Sequence, residues 1–231
     1  MELIFRNLCI KHGKKVIIKN MNMDFKGGQV VGLIGYNGVG KTTLLKAISG
    51  LKEFDGEILF DGMSLTKYRK KNDYPISILL NDIGIYRDLS AVDNIKIEAI
   101  YNNIPASNVE SLIDACIGLA GLENDKKIPV RKYSLGMLRR LQISMLTIKK
   151  ADVVLLDEPF NGLDQEGILL VRKLIEQYRK NRKIVFVSSH TLQELKLVCD
   201  KFMFVNKGEV SVRNNDKDID IDKLYEDIIK R

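Results

Sequence analysis

An α/β fold with a mostly parallel sheet is what this sequence predicts, and three stretches carry that expectation. Val30 to Ile34 is an apolar run that ends in a glycine-rich segment, Gly35 to Thr43, and leads directly into the apolar helix residues Leu44, Leu45, Ala47 and Ile48. Val153 to Leu156 is a second unbroken apolar run, ending in Asp157-Glu158-Pro159, and Ile184 to Val187 is a third, ending in Ser188-Ser189-His190. Continuous apolar runs of this length fit strands buried on both faces, as in a parallel sheet covered by helices. Their polar carboxyl ends fall where open α/β sheets bind ligands.

The remaining elements follow in chain order. Residues 2 to 10 and 16 to 25 are rich in Ile, Val, Phe and Met and flank Lys11-His12-Gly13-Lys14, which predicts two strands and a short turn. Gly50 is placed to close the first helix. Ile58-Leu59-Phe60, between Asp55-Gly56 and Asp61-Gly62, reads as a further strand bounded by turns. Together these early strands predict a small antiparallel β lobe. Ile76 to Leu80 is a short buried strand ending at Asn81-Asp82, and from Val92 to about Lys150 the periodicity is helical. Ser107 to Glu110 has the form of a capping box ahead of Leu112, Ile113, Cys116 and Leu119. A helix from Met137 to Lys150, another from about Gln165 to Asn181, strands at 201 to 206 and 208 to 212, and a helical tail with Ile219, Ile221, Leu224 and Ile228 on one face complete the reading.

The glycine-rich segment carries the chemistry. Gly35-Tyr36-Asn37-Gly38-Val39-Gly40-Lys41-Thr42 reads G-x-x-x-x-G-K-T, the Walker A pattern of a P-loop NTPase core. Glycines let the backbone approach a phosphate closely, and successive N–H groups at a helix start form an anion-binding concavity. Lys41 is placed to reach the β- and γ-phosphates, and the hydroxyl of Thr42, followed by Thr43, to ligate Mg²⁺. Asp157, at the end of its buried strand, suits the Walker B role of holding Mg²⁺ against the phosphates. Glu158, one residue further on, is placed to orient and activate the attacking water. His190 lies just past a strand end on the same side of the sheet.

Composition bounds the partners. The chain has 231 residues, 45% hydrophobic and 29% charged, and no run approaching the ~20 apolar residues that span a bilayer. The first residues lack a signal-peptide layout, so a cytoplasmic location is expected. Cys9, Cys116 and Cys199 are widely spaced without a metal-ligand pattern and are expected to be reduced, half-buried thiols. The net charge of +7 is spread over doublets such as Lys14-Lys15 and Arg139-Arg140 among acidic residues, which reads as solvated faces. Nucleic acid is not expected as a partner.

The order of motifs resembles the ATP-binding cassette (ABC) family, specifically a transporter ATP-binding subunit. The resemblance spans nearly the whole chain: Gly35 to Thr43 as Walker A, Ser134-Leu135-Gly136-Met137 at the signature position, Val153 to Glu158 as Walker B, Gly162-Leu163-Asp164 as the D-loop and His190 as the switch histidine. It implies one ABC ATPase domain over 1–231, with a nucleotide-binding core and β lobe in about 1–81 and 151–231 and a helical lobe in 82–150. It further implies ATP and Mg²⁺ as cofactors, and a homodimer or heterodimer of cassettes with ATP at the interface. Ser134 and Gly136 of one copy would cover the γ-phosphate held by the other, Asp164 would link the two sites, and His190 would contact the γ-phosphate. Integral membrane transporter subunits are the implied partners, which places the chain at the inner face of the cell membrane.

Three positions depart from the usual family pattern. The signature reads Tyr133-Ser134-Leu135-Gly136-Met137 in place of Leu-Ser-Gly-Gly-Gln, a version similar to the cassettes of bacitracin- and lantibiotic-type exporters. The Mg²⁺-ligating Gln position holds Asn81, one methylene shorter, with a bridging water or Asp82 as the alternative contact. The adenine-stacking aromatic aligns with His12. The reading is therefore an exporter ATPase for peptides, drugs or lipid-like molecules. Two alternatives stand beside it: a non-transport ABC ATPase acting on the ribosome or DNA, and a slow nucleotide-gated scaffold.

Overall fold

In the computed structural model, which describes residues 1–72, 75–80, 84–216 and 219–229, the buried apolar runs become the middle of a six-stranded sheet. The elements run β1 (Glu2–His12), β2 (Lys15–Lys26), β3 (Val30–Ile34), α1 (Lys41–Ile48), β4 (Asp55–Phe60), β5 (Met63–Ser64), α2 (Leu65–Lys71), β6 (Ile76–Leu79), α3 (Ala91–Tyr101) and α4 (Ala106–Ala120). They continue with α5 (Leu135–Met145), β7 (Val153–Leu156), α6 (Gln165–Lys180), β8 (Ile184–Ser188), α7 (Leu192–Val198), β9 (Lys201–Asn206), β10 (Glu209–Asn214) and α8 (Ile221–Ile229). The six strands lie in the order β10-β9-β3-β8-β7-β6. β3 pairs in parallel with β8 and β9, and β7 in parallel with β8, while β10 closes one edge antiparallel to β9. Every residue of β3, β7 and β8 is buried, which is why their sequences are unbroken apolar runs.

The chain divides into two units. The first comprises Met1–Ile78, Ala151–Glu158 and Leu174–Arg231. Within it, a four-stranded antiparallel sheet, β2-β1-β4-β5, shares one apolar core with the parallel sheet and α1. Phe5, Phe25 and Phe186 meet edge to face at 5.2 to 6.5 Å between ring centroids and join the two sheets. α1 buries Leu44, Leu45, Ala47 and Ile48. Gly50 ends it in a Schellman arrangement, its N–H on the Ala47 carbonyl and the Leu51 N–H on that of Lys46.

The second unit comprises Leu79–Lys150 and Pro159–Lys173. Its core is formed by Ala91, Ile95, Ile113, Cys116, Ile117, Leu141 and Met145 from α3, α4 and α5. Ser90 caps α3 by accepting from the Asp93 N–H at 3.1 Å.

Several local expectations are corrected. Ser107 is not an N-cap: α4 begins at Ala106 after the extended Pro105, whose carbonyl takes the Asn108 N–H, so Ser107 already lies inside the first turn. The helix expected from Met137 to Lys150 starts two residues earlier, at Leu135, and ends at Met145 with a 3₁₀ turn at Leu146–Ile148. Arg139 is buried, unlike the solvated face its doublet suggested, with its guanidinium against Gln142 Oε1. Cys116 and Cys199 are buried, and Cys9 is intermediate. Ile219 precedes α8, where its carbonyl accepts from Lys196 Nζ. α2 and α7, each seven residues long, had no counterpart in the sequence reading.

Candidate nucleotide site

β3 delivers the chain into the glycine-rich segment, and α1 takes it away. Gly35 leaves no room for a side chain: a Cβ there would lie 2.7 Å from the Val205 carbonyl oxygen and 2.7 Å from Val39 Cγ1. Gly40 is the N-cap of α1 with φ +117°, a conformation open to glycine alone in practice. Between them Tyr36 and Asn37 are exposed and Val39 is buried beneath the loop. The first N–H groups of α1 thus follow a glycine turn, the geometry expected of an anion site.

Lys41 is buried at 7% exposure, and its Nζ donates to the carbonyls of Gly35 at 2.7 Å and Tyr36 at 3.4 Å. Burial lowers its pKa, and the nearby carboxylates of Glu158 and Asp157 oppose that shift. The ammonium is thus already inside the loop whose phosphates it is expected to contact. Thr42 Oγ1 donates to Asp157 Oδ2 at 2.8 Å, so the two expected Mg²⁺ ligands are in direct contact although 115 residues apart. Thr43 follows, half-buried, in the first turn.

Asp157 and Glu158 follow β7 with different partners for their carboxylates, Thr42 and Ser188 for the first and His190 for the second, and Glu158 adopts φ +50°. A non-glycine residue there carries strain of about 1 to 3 kcal/mol, of a kind that clusters at functional sites. The Glu158 carboxylate turns to His190: its Oε1 lies 3.0 Å from His190 Nε2, and its Oε2 accepts from the His190 N–H at 3.2 Å. Burial pushes the Glu158 carboxyl above the usual carboxylate range, against the pull of His190 and Lys41. A carboxyl shifted upward in this way is better matched to taking a proton near neutral pH. His190, by contrast, is exposed.

Ser188 is the residue that sequence reasoning passed over. It is fully buried at the end of β8, where it donates to Asp157 Oδ1 at 2.7 Å and accepts from the Glu158 N–H at 2.9 Å. Its position in a Ser-Ser pair closing an apolar strand, beside His190, was the available signal.

Lys41, Thr42, Asp157, Glu158, Ser188 and His190 therefore form one cluster in the first unit. Among the described residues no group of three or more His, Cys, Asp and Glu could cage a metal ion. The donor set is instead one hydroxyl and one carboxylate, both hard oxygens. That set fits Mg²⁺, which is usually held by one or two protein ligands with phosphates and waters completing its shell.

The other expected contacts lie elsewhere. His12 is exposed at the end of β1, paired with Lys15 of β2. Ser134, Gly136 and Asp164 belong to the second unit. Ser134 caps α5, its Oγ accepting from the Met137 N–H at 3.1 Å, and Leu135 beside it is 67% exposed. A Cβ on Gly136 would come within 3.1 Å of the Gly162 carbonyl, which brings the signature and the D-loop together. Asp164 Oδ1 accepts from the Gly167 N–H at 2.8 Å at the start of α6. Asn81 and Asp82 lie outside the described residues.

Comparison with known proteins extends this picture. Residues 18–161 match the family described as ABC transporter. The lantibiotic transport ATP-binding protein SrtF of Streptococcus pyogenes is 34% identical over 209 residues, which cover 90% of this chain and 88% of that protein. The bacitracin transport ATP-binding protein BcrA of Bacillus licheniformis is 34% identical over 206 residues, 88% of this chain and 66% of its own. Among solved structures, an ATP binding subunit of an ABC transporter matches in fold with a TM-score of 0.88 at 21% identity, over 99% of both chains. CbiO1 from Clostridium perfringens, part of the ABC transporter complex cbiONQ, reaches 0.79 at 26% identity over 96% of this chain and 91% of that one.

Proposed function

Because the chain belongs to the ABC transporter family, as an ATP-binding subunit similar to the lantibiotic and bacitracin cassettes, we propose that it binds ATP with Mg²⁺ and hydrolyses it to drive export by separate membrane subunits. The cargo class is peptides, drugs or lipid-like molecules, the names of the relatives pointing to the first. The observation that carries the reading is the cluster in which Thr42 meets Asp157 while Glu158, strained and buried, meets His190.

The residues divide the work. The loop from Gly35 to Thr43 binds the triphosphate through its backbone N–H groups, and Lys41 holds the β- and γ-phosphates. Thr42 and Asp157 would hold Mg²⁺, with Asn81 or a water in its place at the third position. When bound, the ion neutralises charge on the phosphate oxygens. Glu158 orients the attacking water and accepts its proton. His190 steadies Glu158 and reaches toward the γ-phosphate. Ser134 and Gly136 of a second cassette, at the N-terminus of α5, close over that phosphate, and Asp164 links the two sites. His12 stacks on the base. Positioning and charge stabilisation supply the catalysis, as phosphoryl transfer requires.

Among the described residues no helix is long and apolar enough to cross a membrane. Membrane association is therefore assigned to a docked integral partner, which would hold the chain at the inner face of the membrane. Ile100 and Tyr101, 73% and 59% exposed at the end of α3, with Tyr86 at 49%, offer an apolar surface for that contact. Purification from native membranes tests the proposal: an integral membrane protein should accompany the chain, and the complex should hydrolyse Mg²⁺-ATP. A complex that binds ATP without turnover would replace the reading with a nucleotide-gated scaffold.

A further inference from the structure

The end of β8 holds a hydroxyl whose two bonds reach the Asp157 carboxylate and the backbone N–H of Glu158. In the parallel register Val187 pairs with Leu156, so Ser188 sits at the level of Asp157, one step beyond the last β7 pair. Its Oγ donates to Asp157 Oδ1 and accepts from the Glu158 N–H, at 2.7 and 2.9 Å, with no solvent exposure. The other Asp157 oxygen is taken by Thr42 at 2.8 Å. Asp157 is thereby gripped at both oxygens, and its rotation about the Cβ–Cγ bond is fixed. The same hydroxyl anchors the peptide N–H at which the chain enters the φ +50° turn, and that turn aims the Glu158 side chain at His190.

We infer that Ser188 is a positioning residue that sets, through one buried hydroxyl, both the presentation of Asp157 to Mg²⁺ and the aim of Glu158 at the attacking water. The inference rests on the Mg²⁺-ATP hydrolysis proposed above. An apolar residue at this strand end would complete the sheet equally well but leave both groups to find other partners. Outer partners that orient a metal-binding carboxylate are typically worth 10- to 100-fold in metal affinity or activity.

The experiment compares wild type, Ser188→Ala and Ser188→Thr. Affinity for a fluorescent ATP analogue is measured in EDTA and along a Mg²⁺ titration, followed by steady-state hydrolysis in the membrane complex. Ser188→Ala should bind the analogue in EDTA within about twofold of wild type and need about tenfold more Mg²⁺ for half-maximal effect. Its kcat should fall about tenfold or more with KM for ATP little changed, and Ser188→Thr, which keeps the hydroxyl, should recover both quantities. A wild-type Mg²⁺ requirement and kcat in Ser188→Ala would overturn the inference. So would equal losses in EDTA binding and in Mg²⁺ dependence, which mark a purely structural role. If Ser188→Ala does not fold, Ser188→Cys, similar in size and a poor hydrogen-bonding partner, carries the same expectations. Absence of hydrolysis in wild type would overturn the hydrolytic reading, while the Mg²⁺ titration still decides whether Ser188 orients Asp157.

Discussion

Gly40→Ala tests the geometry of the phosphate loop. At φ +117° any L side chain carries backbone strain of about 1 to 3 kcal/mol. The new Cβ would also lie 2.0 Å from Ile17 Cγ2, where carbon atoms ordinarily sit about 3.5 to 4.0 Å apart. Ile17 is 5% exposed in the β-lobe core and has little room to retreat, so relieving the overlap adds about 1 to 3 kcal/mol. The two terms separate in a double-mutant cycle. Ile17→Ala removes Cγ2, and in that background Gly40→Ala should show the backbone cost alone, giving a coupling of about 1 to 3 kcal/mol. Urea unfolding of the four proteins measures the cycle, and binding of a fluorescent ATP analogue reports the loop, with tenfold in affinity for each 1.4 kcal/mol of misplacement. A Gly40→Ala variant with wild-type stability and affinity would refute the requirement for this conformation. A cycle with no coupling would refute the clash with Ile17.

Other expectations follow from single contacts. Thr42→Val removes the donor to Asp157 Oδ2 while keeping shape, so ATP binding in EDTA should persist and the gain from Mg²⁺ should shrink about tenfold or more, read by a Mg²⁺ titration. Ser134→Ala removes the α5 cap, worth about 1 kcal/mol, and should lower the melting temperature by roughly 2 to 4 °C in a calorimetric scan. Ile100→Glu with Tyr101→Glu changes exposed positions only, so the isolated chain should unfold within about 0.5 kcal/mol of wild type yet fail to co-purify with its membrane subunit.

The parallel core and the glycine-rich loop between β3 and α1 were readable in advance because both are local patterns. An unbroken apolar run specifies a doubly buried strand, and glycine spacing specifies a loop that Gly35 and Gly40 then make obligatory. Asp157 and Glu158 were readable by type and place. The φ +50° turn at Glu158 was hidden, since it depends on bonds from Ser188 and His190, 30 and 32 residues away. Ser188 was visible as a letter and silent as a partner for the same reason. α2 escaped notice because its seven residues bury only Tyr68 and end in Arg69-Lys70-Lys71, too short and too polar to show a period. Ser107 misled because a capping box is a pattern, whereas the cap is decided by where the backbone first turns, at Pro105. Arg139 misled because a basic doublet looks solvated until the core it enters is known.

Glu158→Gln is the most direct test of the account, since it keeps size and replaces the proton-accepting carboxylate by a neutral amide. Nucleotide binding should remain near wild type, hydrolysis in the membrane complex should fall by about 10²- to 10⁴-fold, and ATP should trap a dimer visible by size exclusion. Robust hydrolysis by that variant would contradict Glu158 as the base and, with it, the reading of this site as an ATPase centre built on the Walker B pair.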